Sequence, residues 1–214
     1  PQRNGIPAKD FAIVADTKEE LEQNMARYEP KQVDVTICVD DTLSKGVESW
    51  AWYGLQPINR LTLPNGTVLM TSLQQAGDLL KDIHKKDAPY KLALIRAKAS
   101  FSGLWVHKED HTEVRVLGAL AKIAPHFLSL EGVAQALPEM EWGSDLKVAS
   151  ARKAHDRLET REVKITEGNP EVPYAFEMPK WWEMREGVSI PAIPIGKPKE
   201  GGQGYVPERN PYFK

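Results

Sequence analysis

One nearly apolar segment, residues 33–39, constrains the fold more than any other part of this chain. Its sequence is VDVTICV, in which Asp34 is the one charged residue. A strand that is apolar on both of its alternating faces is typical of a parallel sheet that helices cover on both sides. Asp40 and Asp41 follow directly and give the strand a polar end. The segment therefore predicts a buried strand in an α/β fold.

Strands and helices alternate after this segment. Turn chemistry at Pro64-Asn65-Gly66 is followed by a second predicted strand at 67–71, and a third is predicted at 91–97. The spacing of apolar residues and the capping residues predict helices at 17–28, 43–53, 73–85, 113–123, 129–137 and 144–159, with a further strand at 10–15. Together they predict one α/β domain with a mainly parallel, Rossmann-like sheet and flanking helices. Gly118 inside the helix at 113–123 indicates close packing, because glycine costs roughly 1 kcal/mol there relative to alanine.

The bulk composition excludes several classes of partner. The net charge of −2 favours neither nucleic acid nor an anionic membrane as an electrostatic partner. No apolar run approaches the ~18 residues that span a bilayer, and the first residues lack the apolar core of a signal peptide. The single cysteine, Cys38, excludes an internal disulfide and an iron–sulfur cluster held by this chain alone. We expect a cytoplasmic protein without nucleic-acid or membrane partners.

The composition changes near residue 163. Eight of the sixteen prolines lie beyond this point, and the apolar periodicity fades. The sequence therefore predicts an α/β domain over residues 1–162 and an extended arm over 163–214. Two adjacent tryptophans in the arm, Trp181 and Trp182, are expected to be buried against a partner subunit.

The strongest candidate for a binding site is a crevice at the strand ends. Ligands of open α/β sheets gather at the carboxyl ends of the strands, and this rule selects Asp40, Asn65 and Thr71. The alternative is that Asp40 and Asp41 cap the following helix. No glycine-rich phosphate-binding turn follows any of the predicted strands.

Other polar residues allow a functional and a structural interpretation. His107 and His111 have the spacing of two metal ligands on one helix face, but they lack an evident third ligand, and the structural alternative is a helix junction. The basic residues Lys85, Lys86, Arg96 and Lys98 form either a phosphate-binding edge or a solvated helix end. Cys38, within an apolar strand, is expected to be a small buried hydrophobic residue.

Four ordered segments resemble one known family. They are VDVTICVDDTL at 33–43, LPNGTVLMTS at 63–72, VLGALAKI at 116–123 and LSLEGVAQAL at 128–137. In this order they resemble the gamma domain of the 2-oxoacid:ferredoxin oxidoreductases, which include pyruvate:ferredoxin oxidoreductase and an oxalate oxidoreductase. The segment WEMREGVSIP at 182–191 resembles the connector to the ferredoxin-like delta domain of that family.

This sequence also departs from the family pattern. The family's glycine-rich start has no counterpart before residue 30, and Gly201-Gly202-Gln203-Gly204 lies in the proline-rich arm instead. An asparagine that often precedes the family's Leu-Gly-Ala helix is replaced by Glu113.

The resemblance implies a non-catalytic, gamma-type subunit of a larger complex. Such a complex oxidatively decarboxylates a 2-oxoacid, pyruvate or an atypical substrate such as oxalate, and reduces ferredoxin. It carries thiamine diphosphate, Mg²⁺ and [4Fe-4S] clusters in its other subunits, and its use of coenzyme A stays open. This chain itself is expected to hold no catalytic residue, cofactor or metal. The alternative hypothesis is a stand-alone α/β module that binds a nucleotide or coenzyme in the strand-end crevice.

Overall fold

The structure, a computed structural model, describes residues 10–24, 30, 32–45, 57–97, 111–141 and 143–170. The helices are α1 (Lys18–Asn24), α2 (Ala76–Asp82), α3 (Thr112–Ile123), α4 (Leu130–Ala136) and α5 (Asp145–Arg157), with 3₁₀ helices at Asp41–Lys45 and Leu137–Glu139. The strands are β1 (Val33–Cys38), β2 (Thr62–Ser72), β3 (Tyr90–Arg96) and β4 (Glu159–Val163).

The four strands form one sheet in the order β1-β2-β3-β4. Strands β1, β2 and β3 are parallel, whereas β4 runs antiparallel to β3. Because helices flank this mainly parallel sheet, the predicted α/β fold class is confirmed.

Both faces of the sheet are buried at β2 and β3, whereas β1 is not the buried strand that its apolar sequence predicts, because only Cys38 among Val33–Cys38 is buried. Val68 and Met70 of β2 pack with Leu79 of α2 on one face. Leu69, between them in the strand, points to the other face and packs with Ala119 of α3. The sheet is therefore a central layer between α2 on one side and α3 on the other.

Helices α3, α4 and α5 form a second core behind the sheet. Val114, Val133, Leu137 and Ala151 are buried together there. Gly118 of α3 lies directly against the backbone of α5, since a Cβ built on it would be 2.0 Å from the carbonyl oxygen of Ala151. The close packing that Gly118 predicted is therefore confirmed.

The fourth strand corrects the predicted boundary of the domain. The sequence predicts a helix to residue 159 and an arm from 163, but α5 ends at Arg157 and residues 159–163 pair with β3. Val163 is 1% exposed. The backbone N–H of Asn169 donates to Ile83 at 2.7 Å, and its carbonyl accepts from the N–H of Lys85 at 2.7 Å. The packed body thus extends beyond the predicted boundary, to at least residue 169.

The predicted turn at Pro64-Asn65-Gly66 lies inside β2, so this prediction was wrong. Val33 pairs with Thr62 and Val35 with Thr67, which leaves the intervening residues of β2 as a bulge. Asn65 has φ 62°, the left-handed conformation that its turn chemistry favours. Gly66 allows a close approach here, because a Cβ would be 2.8 Å from the carbonyl oxygen of Asp34.

Two further predictions differ from the structure near the chain start. Residues 10–15 form no strand, and the predicted helix at 43–53 begins as the 3₁₀ helix Asp41–Lys45, its later residues lying outside the described ones. The proline-rich arm with Trp181 and Trp182 also lies outside them. Among the described helices, none has the length and apolar character that crossing a bilayer requires.

Candidate functional site

The carboxyl ends of β1, β2 and β3 meet at one edge of the sheet because these strands are parallel. Asp40 and Asp41 follow β1, Thr71 and Ser72 end β2, and Arg96 ends β3. This edge is the candidate site that the sequence selects.

Asp41 links the end of β1 to the loop after β2. Its carboxylate accepts hydrogen bonds from Ser72 Oγ at 2.5 Å and from Gln74 Nε2 at 3.1 Å. The backbone N–H of Gln74 donates to Ser72 Oγ at 2.9 Å, and Ser44 Oγ donates to the carbonyl of Asp41 at 2.7 Å. The side chain of Asp41 thus holds together two loops at the strand ends.

Arg96 ties the same loop to β4. Its Nε and Nη2 donate to the two carboxylate oxygens of Glu159 at 2.9 and 3.0 Å. Nη1 donates to the carbonyls of Leu73 and Gln74 at 3.1 and 2.5 Å, and Nη2 also donates to Gln75 Oε1 at 2.7 Å. Every N–H of the guanidinium is therefore engaged within the protein.

The basic residues do not form one phosphate-binding edge. Arg96 is at the carboxyl end of β3, whereas Lys85 and Lys86 lie in the connection that leads into its amino end. Lys86 Nζ donates to the carbonyl of Arg60 at 3.2 Å. Lys98 lies outside the described residues.

Two of the three residues predicted for a strand-end crevice lie at this edge of the sheet. Asp40 is half-buried after β1, and Thr71 is 2% exposed near the end of β2. Asn65 instead lies in the bulge toward the amino end of β2, where its N–H donates to the carbonyl of Pro89 at 2.8 Å. The structure therefore does not bring Asn65 to the strand-end crevice.

His111 and Cys38, two residues that the sequence analysis singled out, have structural contacts. His111 precedes α3 with φ 57°, and its Nδ1 is 2.8 Å from Ser150 Oγ of α5. His107 lies outside the described residues, which contain no group of three or more potential metal ligands. Cys38 is 3% exposed, as expected of a small buried hydrophobic residue, and its Sγ lies 3.1 Å from the carbonyl oxygen of Asp40.

Glu113, the residue that departs from the asparagine often found in the gamma-domain pattern it resembles, joins α3 to α5. Its Oε1 is 3.3 Å from Nζ of Lys147, a side chain that is 8% exposed. The carboxylate supplies a negative charge beside a largely buried ammonium group, and an asparagine would not.

A buried polar cluster that the sequence did not predict lies near the amino end of β3. Asn59 Nδ2 donates to the carbonyl of His84 at 2.7 Å. Burial raises the pKa of Tyr90 to about 12, and the neighbouring Asn59 offsets part of that rise. Burial also lowers the pKa of His84 below its ordinary value. Polar residues in loops give no periodic signal, so the sequence offers no means of finding this cluster.

A surface cavity of about 390 Å³ lies where α3 ends above the amino ends of β2 and β3. It is lined by Thr67, Lys91, Lys122, Ile123, Thr160, Arg161 and Glu162. Lys122 Nζ lies 3.4 Å from the carbonyl oxygens of Asp156 and Leu158, at the carboxyl end of α5. The lining mixes positive and negative side chains and selects no ligand class.

The described chain is thus an α/β protein whose strand-end polar groups mostly bond to one another. It matches no protein-family model, and no curated protein matches it. Among solved structures it is similar to the pyruvate oxidoreductase subunit PORC of Thermotoga maritima, with a TM-score of 0.42 and 14% sequence identity. The similarity covers 63% of this chain and 68% of that one.

Proposed function

We propose that this chain is a non-catalytic, gamma-type subunit of a 2-oxoacid:ferredoxin oxidoreductase complex. The complex oxidatively decarboxylates a 2-oxoacid, with pyruvate and oxalate as the leading substrates, and passes the electrons to ferredoxin. Its chemistry takes place on thiamine diphosphate, Mg²⁺ and iron–sulfur clusters in other subunits. The expected location is the cytoplasm.

One observation carries the proposal: the four segments that resemble the gamma domain correspond, in chain order, to four elements of one packed body. The first segment contains β1 and the second coincides with most of β2. The third lies in α3 and the fourth contains α4. A resemblance spread over four elements of the same packed body is stronger support than four matches at unrelated places.

The strand-end geometry supports a packing role. Asp41, Ser72, Gln74 and Arg96 use their polar atoms to connect the ends of β1, β2 and β3 with the loop before α2 and with β4. Side chains that already bond to the protein are poorly placed to bind a nucleotide phosphate or move a proton. This favours the gamma-type subunit over the stand-alone nucleotide-binding module.

The chain's own donor atoms do not fit an iron–sulfur cluster. A [4Fe-4S] cluster takes four thiolates, and this sequence has one cysteine, which is buried. The clusters would therefore have to be held by partner chains.

Residues beyond the packed body form the second part of the proposal. We assign them to a connector that places Trp181 and Trp182 in the interface with the thiamine-binding or iron–sulfur subunits. Two adjacent indoles supply a large apolar area of the kind that dominates interface energetics. This connector would start after Asn169 rather than at the predicted 163, because Asn169 still bonds to the body.

Affinity purification of the tagged chain from its native cells tests the proposal. We expect larger chains to co-purify, with thiamine diphosphate and iron in the eluate and viologen reduction that depends on an added 2-oxoacid. Pyruvate with and without coenzyme A, and oxalate without it, identify the substrate. The double variant Trp181→Ala/Trp182→Ala should lose the co-purifying chains while keeping the melting temperature of the isolated chain.

A different result would support the alternative module. A chain that purifies alone as a monomer, and whose melting temperature rises with coenzyme A or a nucleotide, would overturn the subunit assignment. Asp40→Ala would then reduce the ligand-induced shift if the strand-end crevice is the site.

A further inference from the structure

Three apolar residues are exposed at the carboxyl ends of β1 and β2. Ile37, Val39 and Leu73 are 43%, 48% and 57% exposed, and we call these three residues the β1 patch. Val35 packs on the α3-side cluster, so strand alternation places Ile37 on the same face. Val39 and Leu73 come directly after β1 and β2. Exposed apolar residues at an edge strand favour association with further chain.

Three segments of more than ten residues lie outside the described part of the chain. They differ in the face of the sheet on which their flanking described residues lie. Residues 46–56 begin and end near Leu43 and Ile58, both of which pack on the α2 side of the sheet. Residues 171–214 begin just beyond Asn169, which bonds beside the end of α2. Residues 98–110 begin after Ala97, which is buried in the α3-side cluster, and end at the N-cap of α3. Of the three, the segment 98–110 has both ends on the face that carries the patch.

Both ends of the segment 98–110 also lie at the same end of the sheet as the patch. Lys122 and Ile123, the last residues of α3, border the cavity at the amino ends of β2 and β3. The end of α3 is therefore at the amino ends of the strands. Since α3 spans about 18 Å, its first residues lie toward the carboxyl ends of the strands. Two strand spacings, about 10 Å, separate β3 from β1. Thirteen residues extend to about 43 Å, enough to cross to β1 and return.

The composition of the segment matches the patch. Its centre holds Phe101, Leu104, Trp105 and Val106, and charged residues stand at its ends. We propose that the apolar centre of residues 98–110 packs on the β1 patch and completes the α3-side layer over the edge of the sheet. This inference does not depend on the proposed function.

Disulfide trapping in the full-length chain tests the contact. Cysteines are introduced as Ile37→Cys and Leu104→Cys with Cys38→Ser, and intramolecular cross-linking is followed under mild oxidation. The control pairs Leu104→Cys with Leu146→Cys, because Leu146 of α5 is 72% exposed and outside the patch. We expect the Ile37 pair to cross-link roughly 10-fold faster than the control, since a disulfide needs close Cα atoms. Equal rates, or covalent dimers joined through position 37, would overturn the proposal.

A second measurement avoids the cysteine pair. With Ile37→Cys alone, the rate of labelling by a bulky maleimide is compared in the presence of Trp105 and after Trp105→Ser. Loss of the indole should uncover position 37 and raise its labelling rate by about fivefold or more, while labelling of Leu146→Cys should not change. An unchanged rate at position 37 would mean that the segment does not cover the patch.

Discussion

Replacing Gly118 with alanine tests the packing of α3 on α5. An added Cβ would be 2.0 Å from the carbonyl oxygen of Ala151 and 2.7 Å from its carbonyl carbon. The obstacle is backbone, so no side-chain rotation relieves it. Reaching ordinary contact requires the two helices to separate by roughly 1.4 Å, which opens the core of Val114, Val133 and Leu137.

The expected magnitude follows from two opposing effects. Overpacking a well-packed core costs about 1–3 kcal/mol, and contact with rigid backbone puts this site at or above the upper end. Alanine regains about 1 kcal/mol of helix propensity. We therefore expect Gly118→Ala to lower the free energy of unfolding by about 2–3 kcal/mol. In a chain of this size the melting temperature should fall by roughly 5–10 °C.

Urea unfolding followed by circular dichroism measures this change, and Gly77→Ala is the matched control. Gly77 is an exposed residue of α2, where a Cβ would meet only Arg161 Nη1 at 3.9 Å, so this variant should gain up to about 1 kcal/mol. Adding Ala151→Gly to Gly118→Ala should not restore stability, because the obstructing atoms belong to the Ala151 backbone. The reasoning is refuted if Gly118→Ala is as stable as the unsubstituted chain, or if Ala151→Gly rescues it.

Further predictions concern the strand-end network and the buried titratable groups. Arg96→Lys should lower the free energy of unfolding, measured in urea, by about 1–3 kcal/mol, since a lysine cannot reach Glu159 and two carbonyls together. Glu159→Gln should lower it by less than about 1 kcal/mol, because that carboxylate is half exposed. As pH rises from 10.0 to about 12, the free energy of unfolding should fall, because Tyr90 ionises first in the unfolded chain. Tyr90→Phe should make the unfolding free energy less dependent on pH in this range. An unchanged pH dependence would contradict the raised pKa of Tyr90. As pH drops below 6.5, stability should fall because the unfolded imidazole of His84 takes up a proton that the buried one resists; His84→Asn should reduce that dependence.

The positions of several elements could be predicted from sequence, and the position of β4 could not. Residues 112–123 form the predicted helix, and residues 33–38 form the predicted strand, although only Cys38 of that strand is buried. In β4, by contrast, four of five residues are exposed and only Val163 is buried. Such a strand has no apolar alternation of its own, and it exists because β3 offers a free edge for pairing. The sequence pattern therefore predicted that the preceding helix continues to residue 159.

The turn signal at Asn65-Gly66 shows a different limit. The positive φ of Asn65 follows from residue chemistry, and the structure has it. Whether that conformation ends a strand or bulges within one depends on the partner strand, and β1 continues on both sides of it. The conformation was thus predictable, but the position of Asn65 relative to the strand-end crevice was not.

The candidate site at the strand ends could likewise be predicted only in part. Parallel strands bring Asp40, Thr71 and Arg96 to one edge. The sequence rule selected Asp40 and Thr71 for this edge, together with Asn65, but grouped Arg96 with other basic residues. Whether such groups are available to a ligand depends on their partners, and Arg96 finds its carboxylate partner in β4, the strand that the sequence did not reveal. Because β4 supplies Glu159, the cation at this edge belongs to the scaffold. Any ligand binding at the strand ends would therefore have to use groups other than this guanidinium.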